Sequence, residues 1–436
     1  MIRFVYIFIT VLLLQTLPQG LCDEADDILS STLPNGLRVI VAEDHHVNLV
    51  AIDIWIRAGS VYETPEKNGV SHFVEHMIFK ATDKYGPGEI DRIIEGLGAE
   101  VNGGTSKDWQ HFYTTVASEH IGIVLDVLAD AILNARFDPD EIEKERGIIL
   151  DEIARAESDP ARLAVRVFYQ TAYAVHPYKL PAMGTKESIS ALTRSDILDY
   201  YKMRYTPQNM IVVMVGDVKK AEALDLIGEK FGGFRRTSPE VKVQAEPPQL
   251  THRIAKGGVT SSQSCIVVGY HGPSVSDFRD CCAIDVASVV LGDTYRGRLC
   301  DALRAKKVKF TSISVDFMTQ RDPSVFSVLI ATDPTDAQSA AQVALSEMHK
   351  LATEGIEPSE LAQAKRLIEG SDLFERETVS GRARALGLYE AIASYSLALD
   401  YIPTVRSITQ ADIANVALKY LTGDGYTLVT IGVDGI

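Results

Sequence analysis

Two imidazoles one helical turn apart, with a carboxylate beside the second, stand at His72, Glu75 and His76 in the pentapeptide His72-Phe73-Val74-Glu75-His76. Around them Val70, Phe73, Val74, Met77 and Ile78 recur with the period of an amphipathic helix. The three polar residues therefore share the opposite face, where imidazoles at i and i+4 can reach one zinc ion. A carboxylate next to that ion can activate a water molecule, which is the chemistry of metal-assisted hydrolysis. His72 and His76 are thus candidate ligands and Glu75 the candidate general base. The competing reading is a solvated helix face whose histidines cap or pair.

A catalytic zinc ordinarily has three protein ligands and an open fourth position. A second helix offers the missing ligand. Asp138-Pro139-Asp140-Glu141 reads as its start, a capping box with proline in the first turn, and Ile142, Ile149 and Ile153 form its buried stripe. At about 100° per residue from Ile142, Glu145 falls at about 300° and Glu152 at about 280°, between Ile148 and Ala156 on the buried side. Asp151 and Glu143 project at about 180° and about 100°, toward solvent. Burying an ionised carboxylate is costly without a cation or donors to receive it. A zinc ion gives Glu145 and Glu152 a reason to be there, and structural salt bridges are the alternative.

The chain that must position these helices has 436 residues, enough for two domains, and its 46% hydrophobic and 23% charged composition is that of a globular protein. Residues 1–22 read as a secretory signal peptide, with Met1-Ile2-Arg3 before an apolar run at 4–14 and Pro18-Gln19-Gly20 after it. Those eleven residues fall short of the roughly 20 a membrane-spanning helix needs, so no stable span is expected after cleavage. Removing Arg3 from the 43 basic residues leaves 42 against 59 acidic ones, and the charge moves from -16 to -17. That balance argues against nucleic-acid binding, which needs a basic stripe. Cys22, Cys265, Cys281, Cys282 and Cys300 show no metal-knuckle or disulfide spacing and read, beyond the signal, as small buried hydrophobes.

The chain carries an internal duplication. Leu192-Thr193-Arg194-Ser195-Asp196-Ile197 aligns with Ile408-Thr409-Gln410-Ala411-Asp412-Ile413 at an offset of 216 residues, and the same offset sets the apolar run 211–216 on 427–432. We read two homologous halves, residues 29–235 and 253–436, joined by a linker at 236–252 that contains Pro239, Pro247 and Pro248. Each half is expected to be an α/β sandwich, a mostly antiparallel sheet packed with helices, giving an α+β fold. In the first half, Pro34-Asn35-Gly36 predicts a hairpin turn, and Ile52, Ile54 and Ile56 alternate as a half-buried strand. Helices are expected near 68–80 and 87–97, and strands near 98–104 and 109–117. In the second, 265–270, 308–318 and 325–332 read as strands.

With motif, acidic helix and duplication together, the chain resembles the insulinase-type peptidases, in the smaller branch that includes mitochondrial processing peptidase and its bacterial relatives. The likeness runs through most of the mature chain. It is carried by the motif extended to Met77-Ile78-Phe79-Lys80, by Gly98-Ala99-Glu100-Val101-Asn102-Gly103-Gly104-Thr105-Ser106, by 143–152, by His176-Pro177-Tyr178 and by 192–217. The resemblance implies zinc-dependent hydrolysis of peptides, with one zinc per chain held by His72, His76 and Glu152, which lies 76 positions beyond His76. It makes Glu145 a catalytically important supporting carboxylate, and it implies that substrate adds as a strand along 101–105, with Asn102, Gly103 and Thr105 as substrate-binding residues.

Members of that family enclose a chamber between two such units, and the facing unit's second domain supplies an arginine and a tyrosine seven apart. Here Arg304 stands in the arginine position and Thr311 where tyrosine is expected. The expected partner is therefore a paralogous subunit carrying the Arg/Tyr pair, giving a heterodimer, with a homodimer relying on Arg304 as the alternative. A non-catalytic scaffold subunit is the rival function. Export to the periplasm is the expected location, since the mitochondrial members would begin with an Arg-rich presequence. His45 and His46 read as a solvated turn, and the remaining histidines as structural.

Overall fold

The computed structural model describes residues 28–258 and 263–432; the signal peptide expected at 1–22, with Cys22, lies outside the described residues. The first half contributes β1 (Ile28–Thr32), β2 (Arg38–Glu43), β3 (Leu49–Ile56), β4 (Val101–Thr105), β5 (Gln110–Ala117) and β6 (Met210–Gly216). The second contributes β7 (Arg253–Gly257), β8 (Ser264–His271), β9 (Phe310–Phe317), β10 (Val325–Thr332) and β11 (Thr427–Ile431). Their orders are β1-β2-β6-β3-β5-β4 and β7-β11-β8-β10-β9. With β1 set aside, the second sheet repeats the first strand for strand. In both, only the pair made with the late-arriving strand is parallel, β2 with β6 and β7 with β11.

The duplication extends to local chemistry. Thr193 and Thr409 each cap a helix, Arg194–Arg204 and Gln410–Tyr420, in a reciprocal box with Asp196 and Asp412. The turn between β1 and β2 places Gly36 at φ 96°, a conformation glycine adopts without a Cβ penalty. Residues 234–252 carry no helix or strand. Glu246 nevertheless pins this segment, accepting from the amides of Ala174, Val175 and His176 at 2.7 to 2.9 Å.

One expectation is corrected at β3. Its alternating isoleucines predict a strand buried on one face, but Val50 to Ile56 are all buried. The helix Val379–Ile392, from the second half, covers the face that would otherwise meet water. Val379, Ala383 and Leu386 pack there on Ala51, Trp55, Ile211, Val213 and Val215. Gly387 permits the close approach, because a Cβ at that position would lie 2.0 Å from Trp55 Nε1.

The exchange is mutual. Helix Pro160–Ala172 of the first half lays Ala164, Phe168 and Ala172 on Cys265, Val267, Val429 and Ile431 of the second sheet. Moved by the offset of 216, Ala164 and Ala172 land on Ser380 and Leu388, inside the helix that covers β3. Cys265, Cys281, Cys282 and Cys300 are free thiols in buried positions. Among the described residues no helix is long and apolar enough to cross a membrane.

Candidate metal centre

The motif helix runs from Val70 to Ile78 and begins at Gly69, in the left-handed region with φ 89°. Its first amides are satisfied from outside the helix. The buried Glu63 carboxylate accepts from the amides of Gly69 and Ser71, from the Ser71 hydroxyl and from Asn68 Nδ2. Val70, Phe73, Val74, Met77 and Ile78 are buried in the first core, which turns His72, Glu75 and His76 the other way.

The second helix spans Pro139–Ser158. Its start differs from the expected capping box. Both oxygens of Asp138 lie 2.9 Å from Arg136 Nε, and the side chain makes no cap hydrogen bond. Proline at the first turn is left to mark the start. Ile148, expected at the border of the buried side, is 44% exposed. Glu145 is 4% exposed, while the Glu152 side chain keeps 30% of its surface open, the arrangement of a carboxylate at a cleft wall.

Three atoms from the two helices converge. His72 Nε2 lies 3.3 Å from His76 Nε2 and 3.8 Å from Glu152 Oε2, and His76 Nε2 lies 3.6 Å from the same oxygen. Ligand atoms about 2.0–2.1 Å from one tetrahedral zinc are roughly 3.3–3.4 Å apart. The triangle therefore has the size of one face of a zinc coordination shell, and the donor set fits the ion. No other group of three His, Cys, Asp or Glu among the described residues brings its ligand atoms as close together. His45 and His46, by contrast, pair with Asp217 and Asp44 at 2.7 Å on the surface.

Protonation favours the same role. Glu145 Oε2 lies 3.0 Å from His76 Nδ1, and in the tautomer that donates a hydrogen bond to it the Nε2 lone pair faces the triangle. Burial, reinforced by His76, holds His72 down to about 3, so its ring is neutral, the form a metal binds. Lys80 Nζ approaches the other Glu145 oxygen at 2.6 Å and balances its charge.

Glu75 sits beside this triangle on the same helix. Its Oε2 accepts the Thr105 hydroxyl at 2.5 Å. Thr105 Oγ1 accepts in turn from Gln110 Nε2 at 3.2 Å, and the Tyr205 hydroxyl donates to Gln110 Oε1 at 3.0 Å. Burial raises the Glu75 pKa against the opposing Thr105 hydrogen bond, which makes it a stronger proton acceptor once ionised. Gln110 and Tyr205 were not singled out from sequence. A signal existed, since Gln110 shares the inward phase of β5 with Phe112 and Thr114.

β4 is the edge of its sheet, bonded only to β5. At Gly103 a Cβ would come 3.3 Å from Glu75 Cγ and 3.2 Å from Phe112 Cδ1, so glycine lets this edge lie against the carboxylate. Asn102 is exposed, with Oδ1 accepting from the Gly103 amide at 2.8 Å. Arg304 is not brought to the cluster within this chain. It sits on helix Arg298–Ala305, its side chain is 59% exposed, and its contacts are Asp301 and the Phe310 ring of the same half. The Thr311 hydroxyl donates to the Ala331 carbonyl at 3.3 Å.

Comparison with known proteins bears on the family to which the chain belongs. Residues 38–186 match the family model of insulinase, peptidase family M16, and 191–368 match the model described as the peptidase M16 inactive domain. An uncharacterized zinc protease of Bacillus subtilis is 27% identical over 93% of this chain and 98% of its own. A probable mitochondrial-processing peptidase subunit beta of Arabidopsis thaliana is 26% identical over 92% of this chain and 78% of its own. Among solved structures, a protease from Helicobacter pylori superposes with TM-score 0.89 at 25% identity, covering 93% of this chain and 99% of that one. A two-sheet duplicated fold, a histidine and glutamate cluster on its first half and family models over both halves lead to one assignment: the chain belongs to the insulinase family of peptidases, in its smaller branch.

Proposed function

We propose that this chain is a zinc-dependent endopeptidase that cuts extended or unfolded polypeptides. The observation that carries the reading is the triangle of His72 Nε2, His76 Nε2 and Glu152 Oε2, of zinc dimensions, with Glu75 beside it. When bound, zinc supplies a Lewis acid that polarises a water molecule and the scissile carbonyl. Glu145 fixes the tautomer and orientation of His76 through Nδ1. Glu75 takes a proton from the attacking water and delivers it to the leaving amine, while Thr105 keeps one of its oxygens in place.

Substrate pairs with the free edge of β4, where main-chain hydrogen bonds hold it irrespective of sequence. Asn102, Gly103 and Thr105 set its register, with Gly103 lowering the strand onto Glu75. The chamber is completed by a second, similar chain whose Arg/Tyr pair holds the substrate and steadies the reacting carbonyl. The solvent-facing Arg304 and the threonine at 311 support a heterodimer over a self-sufficient pair. Native mass measurement tests this, since a stable, fully active homodimer would sink it. The composition of residues 1–22 supports export to the periplasm, which N-terminal sequencing of the mature protein tests.

Glu75→Gln is the direct test of the peptidase reading. The variant should retain zinc and lose hydrolysis of a quenched fluorescent peptide by about 10²-fold or more. Undiminished hydrolysis would overturn the role of Glu75.

A further inference from the structure

A cavity of about 520 Å³ lies between helices Pro139–Ser158 and Pro160–Ala172 and the Met318–Leu329 region of the second half. Its wall includes chain neighbours of the site. Ser106 and Lys107 follow Thr105 at the end of β4, and Ile153 follows Glu152. A peptide paired with β4 and continuing past Thr105 would next meet Ser106 and Lys107, both on this wall.

The charges around the cavity oppose those of the whole protein. In a chain of net charge -16, the lining holds four cations, Lys107, Arg162, Arg166 and Lys179, against one anion, Glu157. Glu157 is already taken by Arg166 at 3.0 Å, and Arg162 lies 3.7 Å from Asp159, an exposed pair. The Lys107 ammonium donates to the Leu180 carbonyl and lies 4.9 Å from the centre of the Tyr169 ring, with no carboxylate in ion-pair range among the described residues. Arg166 Nε is buried without a hydrogen-bond partner among those residues. Burial draws Lys107 down to about 8, against the opposing pull of the Glu63 and Asp108 carboxylates, neither of which forms an ion pair with it. A desolvated cation held against apolar walls is costly until an anion joins it.

We propose that this cavity is a specificity subsite for an acidic substrate side chain, with Lys107 receiving the carboxylate and Ile153, Val165 and Tyr169 receiving its stem. The proposal rests on the peptidase reading above. It makes the enzyme selective for glutamate or aspartate at one position near the cleaved bond.

The test is a set of quenched peptides of one sequence in which Glu, Gln or Lys is walked through the positions flanking the cleaved bond. At one position kcat/KM should favour Glu over Gln by about tenfold, with Lys poorest. Lys107→Met should bring the Glu/Gln ratio to about one, Lys107→Glu should turn the preference toward Lys, and Arg166→Gln should weaken it if Lys107→Met does not fold. Equal rates for Glu and Gln at every position, or a ratio unchanged in both Lys107→Met and Arg166→Gln, would overturn the subsite. Binding of the same labelled peptides to zinc-loaded Glu75→Gln protein, read by fluorescence anisotropy, separates the two claims. Selective binding dependent on Lys107 without hydrolysis by the native protein would leave the subsite standing and remove the peptidase reading. Hydrolysis with no preference in either assay would do the reverse.

Discussion

The hydroxyl of Thr105, on an edge strand, donates to Oε2 of Glu75, on the motif helix, at 2.5 Å. This contact joins the strand proposed to bind substrate to the group proposed to move its proton. Thr105→Val removes the donor and frees the carboxylate to rotate. A fall in kcat of about tenfold or more is expected with zinc content unchanged, and Thr105→Ser should restore it. A loss of zinc with kcat per zinc unaltered would contradict this assignment.

Glu145 touches His76 Nδ1 and Lys80 but stands outside the triangle. Glu145→Gln should lower zinc affinity or activity by about 10- to 100-fold, the usual cost of removing a partner behind a ligand. Competition with a chelator of known affinity, alongside peptide turnover, measures both. Zinc affinity and turnover that both match the native protein would show that His76 needs no such support.

Gly387 lies against Trp55 with no room for a methyl group. Gly387→Ala should destabilise the protein by about 1–3 kcal/mol, read as a lower denaturation midpoint in urea. Adding Trp55→Phe, which removes the indole nitrogen from the clash, should recover part of the loss. An unchanged midpoint would mean that the helix shifts at no cost.

Asp285 is the group from which a pH effect on stability is expected. Burial raises it to about 7, with the Tyr401 hydroxyl, 3.0 Å away, opposing the shift. The folded chain then holds a proton that the unfolded chain, near the ordinary carboxylate value, has released. Stability is full below the unfolded value, is lost as pH rises from about 4 to about 7, and is flat above, by an amount on the order of 1–4 kcal/mol. Asp285→Asn should remove this slope from denaturation midpoints taken across that range. A slope equal to that of the native protein would assign it to other groups.

Much of the site was legible because helices repeat every 3.6 residues. The period of Val70, Phe73, Val74 and Met77 fixes where His72, Glu75 and His76 point, and the period of Ile142, Ile149 and Ile153 turns Glu145 inward. What sequence could not show depends on distant partners. Glu63 caps the motif helix across a turn, and Gln110 bridges Tyr205 to Thr105, contacts set by packing rather than by period. β3 was recognisable as a strand, but its second buried face depends on a helix more than 300 residues further along. Asp138 has the composition of a cap, but its carboxylate is taken by Arg136, two residues before it.

The mutual exchange of helices also bears on how the protein is made. Translation finishes the first sheet at Gly216, yet Ala51, Trp55, Ile211 and Val213 stay bare until Val379–Ile392 leaves the ribosome. For more than 150 residues of elongation, the nascent chain displays an adhesive sheet face that only its own later segment can seal. Neither half covers both faces of its own sheet, so each depends on the other to complete its fold.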